Sequence, residues 1–511
     1  MQQTAPKAIQ HIAIVGGGSA GWMTAATLAK VLPKEFCKVT LIESPQIKTV
    51  SVGEASIPQI QLFNRILEID ENEFLQRTKA TFKLGIEFHN FAREGDCYFH
   101  PFGSYGTNMD ALPFHHFWLK QSQTGNTLDI ENYSLAALAA RQNKFQRPTN
   151  SGNSPLSSIN YAFHFDAKLY ADFLQDYAVK RGVQHIEANV TNVSLKADNG
   201  FIDSLFLNDG QKITADLYID CSGFKGLLIE QVLKTGFEDW SHYLPCDSAV
   251  ALACKNTLGL TPYTQAIAHQ SGWRWRIPLQ HRVGNGLVYA SEFMQHQQAS
   301  KLLQEEIEGQ ALADINSLKW TTGMRNKSWN KNCIAIGLSA GFLEPMESTG
   351  LHLIQSAIAK LMTLFPTKEF AQCDIDSYNA QTRKEFVNIR DFLILHYKAT
   401  EREDSEFWRY CKNMQVPDSL HEKLTMYQET GRIFRQDNEL FNETSWLAVM
   451  HGQGIKANRY HPLVDRLEPS EISRRLQHIE DVIKRSVATM PDHSHFINQC
   501  FSNNFCDIQS G

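Results

Sequence analysis

His11-Ile12-Ala13-Ile14-Val15-Gly16-Gly17-Gly18-Ser19-Ala20-Gly21-Trp22 is the stretch whose reading decides the fold. A short apolar run ends in three glycines, a helix-patterned segment follows to Lys30, and Lys38-Val39-Thr40-Leu41-Ile42-Glu43 returns as a second apolar run closed by an acid. The order reads strand, tight turn, helix, strand. In such a unit Gly16 permits the turn, Gly18 lets backbone approach a pyrophosphate, and Gly21 lets the helix pack close to the sheet. The helix start offers unpaired N–H groups and a partial positive charge to phosphates. Glu43 is placed to accept from ribose hydroxyls. A glycine pattern alone also fits an ordinary loop; the full sequence of elements with its terminal acid points to an adenine dinucleotide site. Gly16, Gly18, Ser19, Ala20, Gly21 and Glu43 are its first candidates.

Working outward, 511 residues bound about three domains, with 42 % hydrophobic, 20 % charged and 11 % aromatic residues describing a globular chain rich in rings. A net charge of −6 argues against nucleic acid or an anionic membrane as the main partner. Ten cysteines, scattered from Cys37 to Cys506 without a C-x-x-C pair, suggest reduced thiols in a cytoplasmic protein and no metal site. The polar segment before the first strand leaves no room for a signal peptide, and no run is long enough to span a bilayer.

Beyond Glu43, Ser51 to Pro58 is a small-residue loop, and helical periodicity runs from Gln59 to Phe91 with a break near Gly85. From Gly95 to Asn160 the chain is aromatic and reads as loop, an insertion near a pocket. Asp166 predicts the cap of a helix ending at Arg181 before Gly182, and Asn208-Asp209-Gly210 predicts a hairpin. Ala215 to Gly223 is a strand ending in acid and glycine, strands return between Ser248 and Phe293, and Cys333-Ile334-Ala335-Ile336-Gly337 is another buried strand. A helix follows from about Leu351 to Leu364, and the last part is helix-patterned and charged. Glycine-bearing strand ends early, midway and late imply a cofactor domain made of separated segments with a substrate region threaded through it.

Three stretches carry chemistry. Phe342-Leu343-Glu344-Pro345-Met346-Glu347-Ser348-Thr349-Gly350 leads into a helix start, where Thr349 and Gly350 suit a phosphate or halide, and where Ser348 or Thr349 equally suits a plain cap. Glu347 is a base, an acceptor or a first-turn acid. Trp273 and Trp275, two apart, share one face of a strand and form either a core wall or a stacking platform, with Arg274 and Arg276 opposite. Lys79, Lys83 and Glu87 are spaced as one face of a helix: a solvated ion-pair row, or, among Phe82, Ile86 and Phe88, a partly buried amine.

Together these residues resemble the flavin-dependent halogenases, in the tryptophan and indole branch. The likeness covers most of the chain from Ile12 to about Leu364, and its most specific parts are Gly272-Trp273-Arg274-Trp275-Arg276-Ile277-Pro278 and the F-x-x-P-x-x-S-x-G string at 342–350. It implies an α/β fold: an FAD-binding Rossmann-like fold of the flavin monooxygenase type, with an interleaved substrate-binding sheet and a C-terminal helical region. The expected divisions are FAD-binding at 1–95 with the lysine helix, an aromatic insertion at 96–165, FAD-binding again at 166–235, a substrate-side sheet at 236–325, an FAD- and halide-binding segment at 326–373 and a helical substrate-binding region at 374–511. The resemblance adds Val52, Gly53, Glu54, Ala55, Val190, Gly223, Gly337, Leu338 and Leu351 to the cofactor residues. It implies that reduced FAD and O2 oxidise chloride or bromide held by Thr349 and Gly350, and that hypohalous acid passes through a tunnel to Lys83 and Glu347, the catalytic pair. His100, Phe102, Trp273, Trp275 and Trp446 are then the substrate-binding residues.

Related flavin hydroxylases carry an aspartate after the third glycine-bearing strand; here Leu338-Ser339-Ala340 follows Gly337, favouring a halogenase over a single-component aromatic hydroxylase, while intact Lys83, Glu347 and halide loop speak against a silent flavin-binding protein. The tyrosine pair with which tryptophan-specific members grip the amino-acid backbone is missing, and Phe441, Glu443, Trp446 and His451 to Gly454 occupy that region. The expected substrate is therefore a small indolic aromatic: indole, tryptophan or a derivative. A lone dinucleotide fingerprint implies a separate flavin reductase supplying FADH2, and the resemblance allows a homodimer.

Overall fold

The computed structural model describes residues 7–46, 53–125, 128–150, 152, 154–437 and 439–501. The chain forms two compact units, each made of three segments: Met1–Lys79, Phe165–His242 and Lys319–Val387 in the first, Ala80–His164, Tyr243–Leu318 and Asn388–Gly511 in the second. The stretch 80–95, expected with the cofactor segments, belongs to the second unit.

The first unit is built on the glycine turn. The strand His11–Val15 pairs in parallel with Lys38–Glu43 on one side and Leu217–Asp220 on the other. Gln184–Glu187 and Cys333–Ala335 extend the parallel sheet, and Trp329–Asn330 closes one edge antiparallel. The strand positions Ile12, Ala13, Ile14, Leu41, Leu217, Ile219 and Ile334 have no solvent exposure, so the hydrophobic runs read from sequence are the buried centre of this sheet. The helix Ser19–Val31 packs against the helix Ala167–Lys180, which Asp166 caps by accepting from the Lys168 and Leu169 amides at 3.0 and 3.2 Å. Ile202–Leu207 and Lys212–Thr214 form the antiparallel hairpin that Asn208-Asp209-Gly210 predicts.

The second unit holds a seven-stranded sheet ordered Asn316–Lys319, Ser248–Cys254, Val283–Tyr289, Gly272–Pro278, Thr264–His269, Gly85–His89, Cys97–Pro101. Two expectations are corrected here. Lys83 is not on a helix with Lys79: the helix Glu71–Thr78 stops at Lys79, whose left-handed φ of 55° ends it, and Thr81–Lys83 is a strand buried throughout. The aromatic stretch after Gly95 is not irregular either, since Cys97–Pro101 is the edge strand of the sheet and Phe114–Ser122 and Leu135–Arg141 are helices. The Glu131 carboxylate accepts from the Phe99 amide at that edge, so a side chain satisfies the donor that a further strand would have taken. Helices account for most of 388–501. No disulfide joins the described cysteines, and among the described residues no helix is long and apolar enough to cross a membrane.

Candidate active site

In the first unit the three glycines do different work. Gly16 has φ 117°, and a Cβ there would lie 2.2 Å from the Cys221 carbonyl oxygen; a Cβ on Gly21 would lie 1.9 Å from the Gly16 carbonyl. A Cβ on Gly18 would meet nothing within 4 Å, and as the residue before the helix Ser19–Val31 it makes no side-chain cap bond, with no acid in the first turn to compete for an anion. An uncapped helix start approached through open space at a glycine fits the pyrophosphate of a dinucleotide.

Further cofactor candidates collect around that turn. Gly337 has φ 77°, and a Cβ on it would meet the Ala20 methyl at 2.7 Å and Ile354 at 3.5 Å, so the turn Gly337–Ser339 and the helix Gly350–Thr363 close on the first turn of the dinucleotide helix. Leu351 is buried, while Leu338 is exposed. Gly223 follows the Cys221-Ser222 backbone against which Gly16 packs, and takes φ 74°. The Glu43 carboxylate lies against Gly17, with His185 Nε2 at 3.2 Å and the Trp22 indole hydrogen-bonded to it; burial pushes its carboxyl up. Gly53, Glu54 and Ala55 form a short strand where a loop was expected, and burial pushes the Glu54 carboxyl up to about 7. Val190 begins the strand Val190–Leu195 and packs on the core cluster that includes Ala13 and Val15 of the central sheet. Val52 lies outside the described residues.

The halide candidates also belong to the first unit. Pro345–Glu347 is a single 3-10 turn, Ser348 takes the left-handed φ of 59°, and the helix opens at Gly350 with Thr349 in the cap position. The Thr349 side chain makes no cap bond, and its hydroxyl is buried without a hydrogen-bond partner. Glu347 is 1 % exposed.

In the second unit, Lys83 has no solvent exposure and its ammonium lies 5.2 Å from the centroid of the Phe102 ring. Its strand pairs antiparallel with 162–164, Lys83 opposite Ala162 and Thr81 opposite His164. Two histidines that sequence reasoning missed hold that strand. His164 bonds Thr81 at 3.1 Å and Thr264 at 2.9 Å, and burial, reinforced by the charge of Lys83, holds its imidazole well below the usual range. His493 accepts the Phe82 amide at 3.2 Å and is brought to about 4 by burial. Phe82, on the opposite face from Lys83, stacks on Phe145 at 4.1 Å.

His100 and Trp446 are joined through two rings that sequence left unassigned or placed loosely. Phe392 and Phe441 stack at 3.8 Å, His100 stands 5.8 Å from Phe392, and Trp446 meets Phe392 edge-on at 5.0 Å. The Trp446 Nε1 is buried without a hydrogen-bond partner. Trp273 and Trp275 share a strand face at 6.1 Å as the spacing predicts, but Trp275 lies flat against Gly286, where a Cβ would come within 2.0 Å of its ring. That makes Trp275 part of a packed wall, with its Nε1 likewise unpartnered.

The turn, the uncapped helix and the open approach at Gly18 define an α/β protein of the dinucleotide-binding class. More particularly, residues 11–469 match the tryptophan halogenase family, and the chain belongs to that family. Tryptophan 6-halogenase SttH of Streptomyces toxytricini is 34 % identical over 95 % of this chain and 97 % of its own. Tryptophan 7-halogenase RebH of Lentzea aerocolonigenes is 32 % identical over 96 % of this chain and 98 % of its own. Among solved structures, Xcc4156, a flavin-dependent halogenase from Xanthomonas campestris, superposes with a TM-score of 0.93 at 43 % identity, covering 96 % of this chain and 98 % of that one. BrvH, a flavin-dependent halogenase from Brevundimonas sp. BAL3, gives 0.93 at 41 %, with 96 % and 99 % covered. The chain is an FAD-dependent halogenase with the Rossmann-like fold that the glycine turn foretells.

Proposed function

We propose that this enzyme halogenates an indole-type ring, whether indole, tryptophan or a derivative, by electrophilic substitution with chloride or bromide. The observation that carries this reading is Lys83, a fully buried ammonium beside an aromatic ring. Reduced FAD, when bound, supplies the two electrons by which O2 oxidises a halide, so that FADH2, O2, halide and a proton give FAD, hypohalous acid and water. Gly16, Gly18, Ser19, Ala20, Gly21, Gly337 and Leu351 hold the cofactor, with Glu43 toward its ribose. The Thr349 hydroxyl and the Gly350 amide hold the halide out of water, where a desolvated anion is the better nucleophile. Lys83 donates a hydrogen bond to the oxygen of hypohalous acid, drawing electron density from the halogen; as the ring attacks the halogen, the oxygen–halogen bond breaks and the ammonium gives its proton to that oxygen, which leaves as water, and the proton the ring then loses makes good the one the lysine has given. Glu347 takes the proton from the ring carbon that has gained the halogen. His100, Phe102 and Trp446, with Phe392 and Phe441 behind them, fix the ring so that pose selects the carbon.

FADH2 comes from a separate reductase, and we place the enzyme in the cytoplasm. The test supplies FADH2 from a reductase, oxygen, bromide and indole, and reads the product by mass. Brominated indole is expected, and Lys83→Met should lose product by a factor of about 10²–10⁴ while still binding FAD. A product gaining oxygen instead of bromine returns the aromatic hydroxylase, and near-parental turnover by Lys83→Met removes the lysine from the chemistry.

A further inference from the structure

The helix Gly350–Thr363 carries a second buried group next to its start. Thr349 is in the cap position and His352 is the third helical residue, the place from which a side chain reaches back over the cap. His352 Nε2 lies 3.0 Å from Glu385 Oε1. The other oxygen of that carboxylate accepts the Ser356 hydroxyl at 2.9 Å and the Lys360 ammonium. Residues 352, 356 and 360 are four apart on one helix face, so one carboxylate grips more than two turns of it. Burial raises the Glu385 carboxyl, but the His352 bond and the Lys360 charge outweigh it and leave the group at about 2, an anion at any working pH. His352 and Glu385 have side chains only 14 % and 17 % exposed.

With Nε2 committed to Glu385, the other ring nitrogen is left over. His352 Nδ1 is buried without a hydrogen-bond partner, and so is the Thr349 hydroxyl three residues before it, a residue with no solvent exposure. Two unpartnered polar atoms in one turn at a helix start, each costing about 1–3 kcal/mol when left so, point to an anion that satisfies both. We propose that His352, as the imidazolium paired with the Glu385 carboxylate, is a further halide-binding residue, donating Nδ1–H to the anion beside the Thr349 hydroxyl and the Gly350 amide, and that Glu385 is the positioning residue that turns the ring. This rests on the assignment of the halide to this helix start.

Asparagine and glutamine divide the two functions of the ring, because the Asn amide nitrogen falls where Nδ1 was and the Gln amide nitrogen where Nε2 was. His352→Gln, His352→Asn, Glu385→Gln and, as reference, Thr349→Val are compared in the FAD-loaded enzyme by bromide KM, by kcat at saturating bromide and by the rise in Tm that bromide itself produces. His352→Gln should raise bromide KM by about tenfold or more, the scale of a lost hydrogen bond to a charged group, with a smaller change in kcat and a diminished bromide effect on Tm. Glu385→Gln should shift bromide KM in the same direction, and His352→Asn should do so less than His352→Gln. If Thr349→Val raises bromide KM and His352→Gln stays within twofold of the parent, the halide is where we place it and His352 does not bind it. A lower Tm for His352→Gln with unchanged bromide KM likewise leaves the ring a structural tie. If neither Thr349→Val nor His352→Gln alters bromide KM, the halide site itself falls and His352 with it.

Discussion

Replacing the glycines of the turn one at a time by alanine should separate folding from flavin binding. At Gly16 the new methyl meets the Cys221 oxygen at 2.2 Å, so the neighbour must retreat by about 1.2 Å to reach an ordinary 3.4 Å contact; overpacking of that kind costs about 1–3 kcal/mol, and the left-handed φ adds about 1–2 kcal/mol. Gly21→Ala drives its methyl to 1.9 Å from the Gly16 oxygen and belongs with it. Gly18 differs on both counts. Its φ of −77° and ψ of −170° suit any residue, and its methyl meets no protein atom within 4 Å. The folding cost of Gly18→Ala is therefore the loss of a tolerable cap residue, about 1 kcal/mol or less. The same methyl stands where a phosphate must come within hydrogen-bond reach of backbone N–H groups, and losing one such charge-assisted bond, at about 1.5–3 kcal/mol, weakens FAD binding about tenfold or more. Thermal melts without flavin and a titration following quenching of FAD fluorescence measure both quantities. Gly16→Ala and Gly21→Ala should melt well below the parent, Gly18→Ala close to it with a raised Kd. Parental FAD affinity in Gly18→Ala would refute the phosphate path, and a Gly16→Ala melt equal to that of Gly18→Ala would refute the packing argument.

Glu347→Gln keeps the size of a side chain 1 % exposed and removes its capacity as a base; product formation should fall by about 10²-fold or more, and unchanged kcat would leave Glu347 a buried acid without a part in proton removal. Trp446→Phe deletes a buried, unpartnered N–H. Stability should hold or rise, because an unsatisfied donor costs about 1–3 kcal/mol, while the KM for indole should increase; an unchanged KM would assign that N–H no role toward substrate. His89 is raised from the usual 6.5 to about 9 by hydrogen bonds to Cys97 and Glu87, which outweigh burial. A raised imidazole contributes stability that is complete below about pH 6.5 and is lost as pH climbs through about 9. Tm should decline across that window in the parent and less steeply in His89→Gln, and equal slopes would mean that His89 carries no linked stability.

What the sequence exposed were features whose cause is local. A glycine is demanded where φ is positive or two backbones nearly touch: Gly16 meets the first demand in its own φ, Gly21 the second against Gly16, and Asn208-Asp209-Gly210 turns its hairpin within a few residues. Asp166 announces its helix for the same reason, because its partners are the next amides. Lys83 was misread because Thr81–Lys83 is buried throughout, so no polar alternation marks it as a strand, while the four-residue interval from Lys79 imitates a helix face. The left-handed turn at Lys79 gave no warning, since lysine has no preference for it. Cys97–Pro101 escaped because its edge is satisfied by the side chain of Glu131, thirty-two residues away from Phe99. Phe392, on a long helix, becomes a neighbour of His100 and Trp446 through tertiary packing alone.

The histidines that hold the Lys83 strand do so as neutral rings. His493 Nδ1 faces the Leu260 carbonyl at 2.9 Å, so it must carry the hydrogen and donate; Nε2, facing the Phe82 amide at 3.2 Å, must then offer its lone pair. A second proton on that ring would set two N–H groups against each other and break the bond that holds the lysine strand. His164, between Thr81 and Thr264, is kept neutral by burial and by the repulsion of Lys83 itself. Both rings thus bind the strand without adding positive charge beside Lys83. The strand that carries Lys83 is therefore held by two residues far along the chain whose neutrality is a condition of the bonds they make.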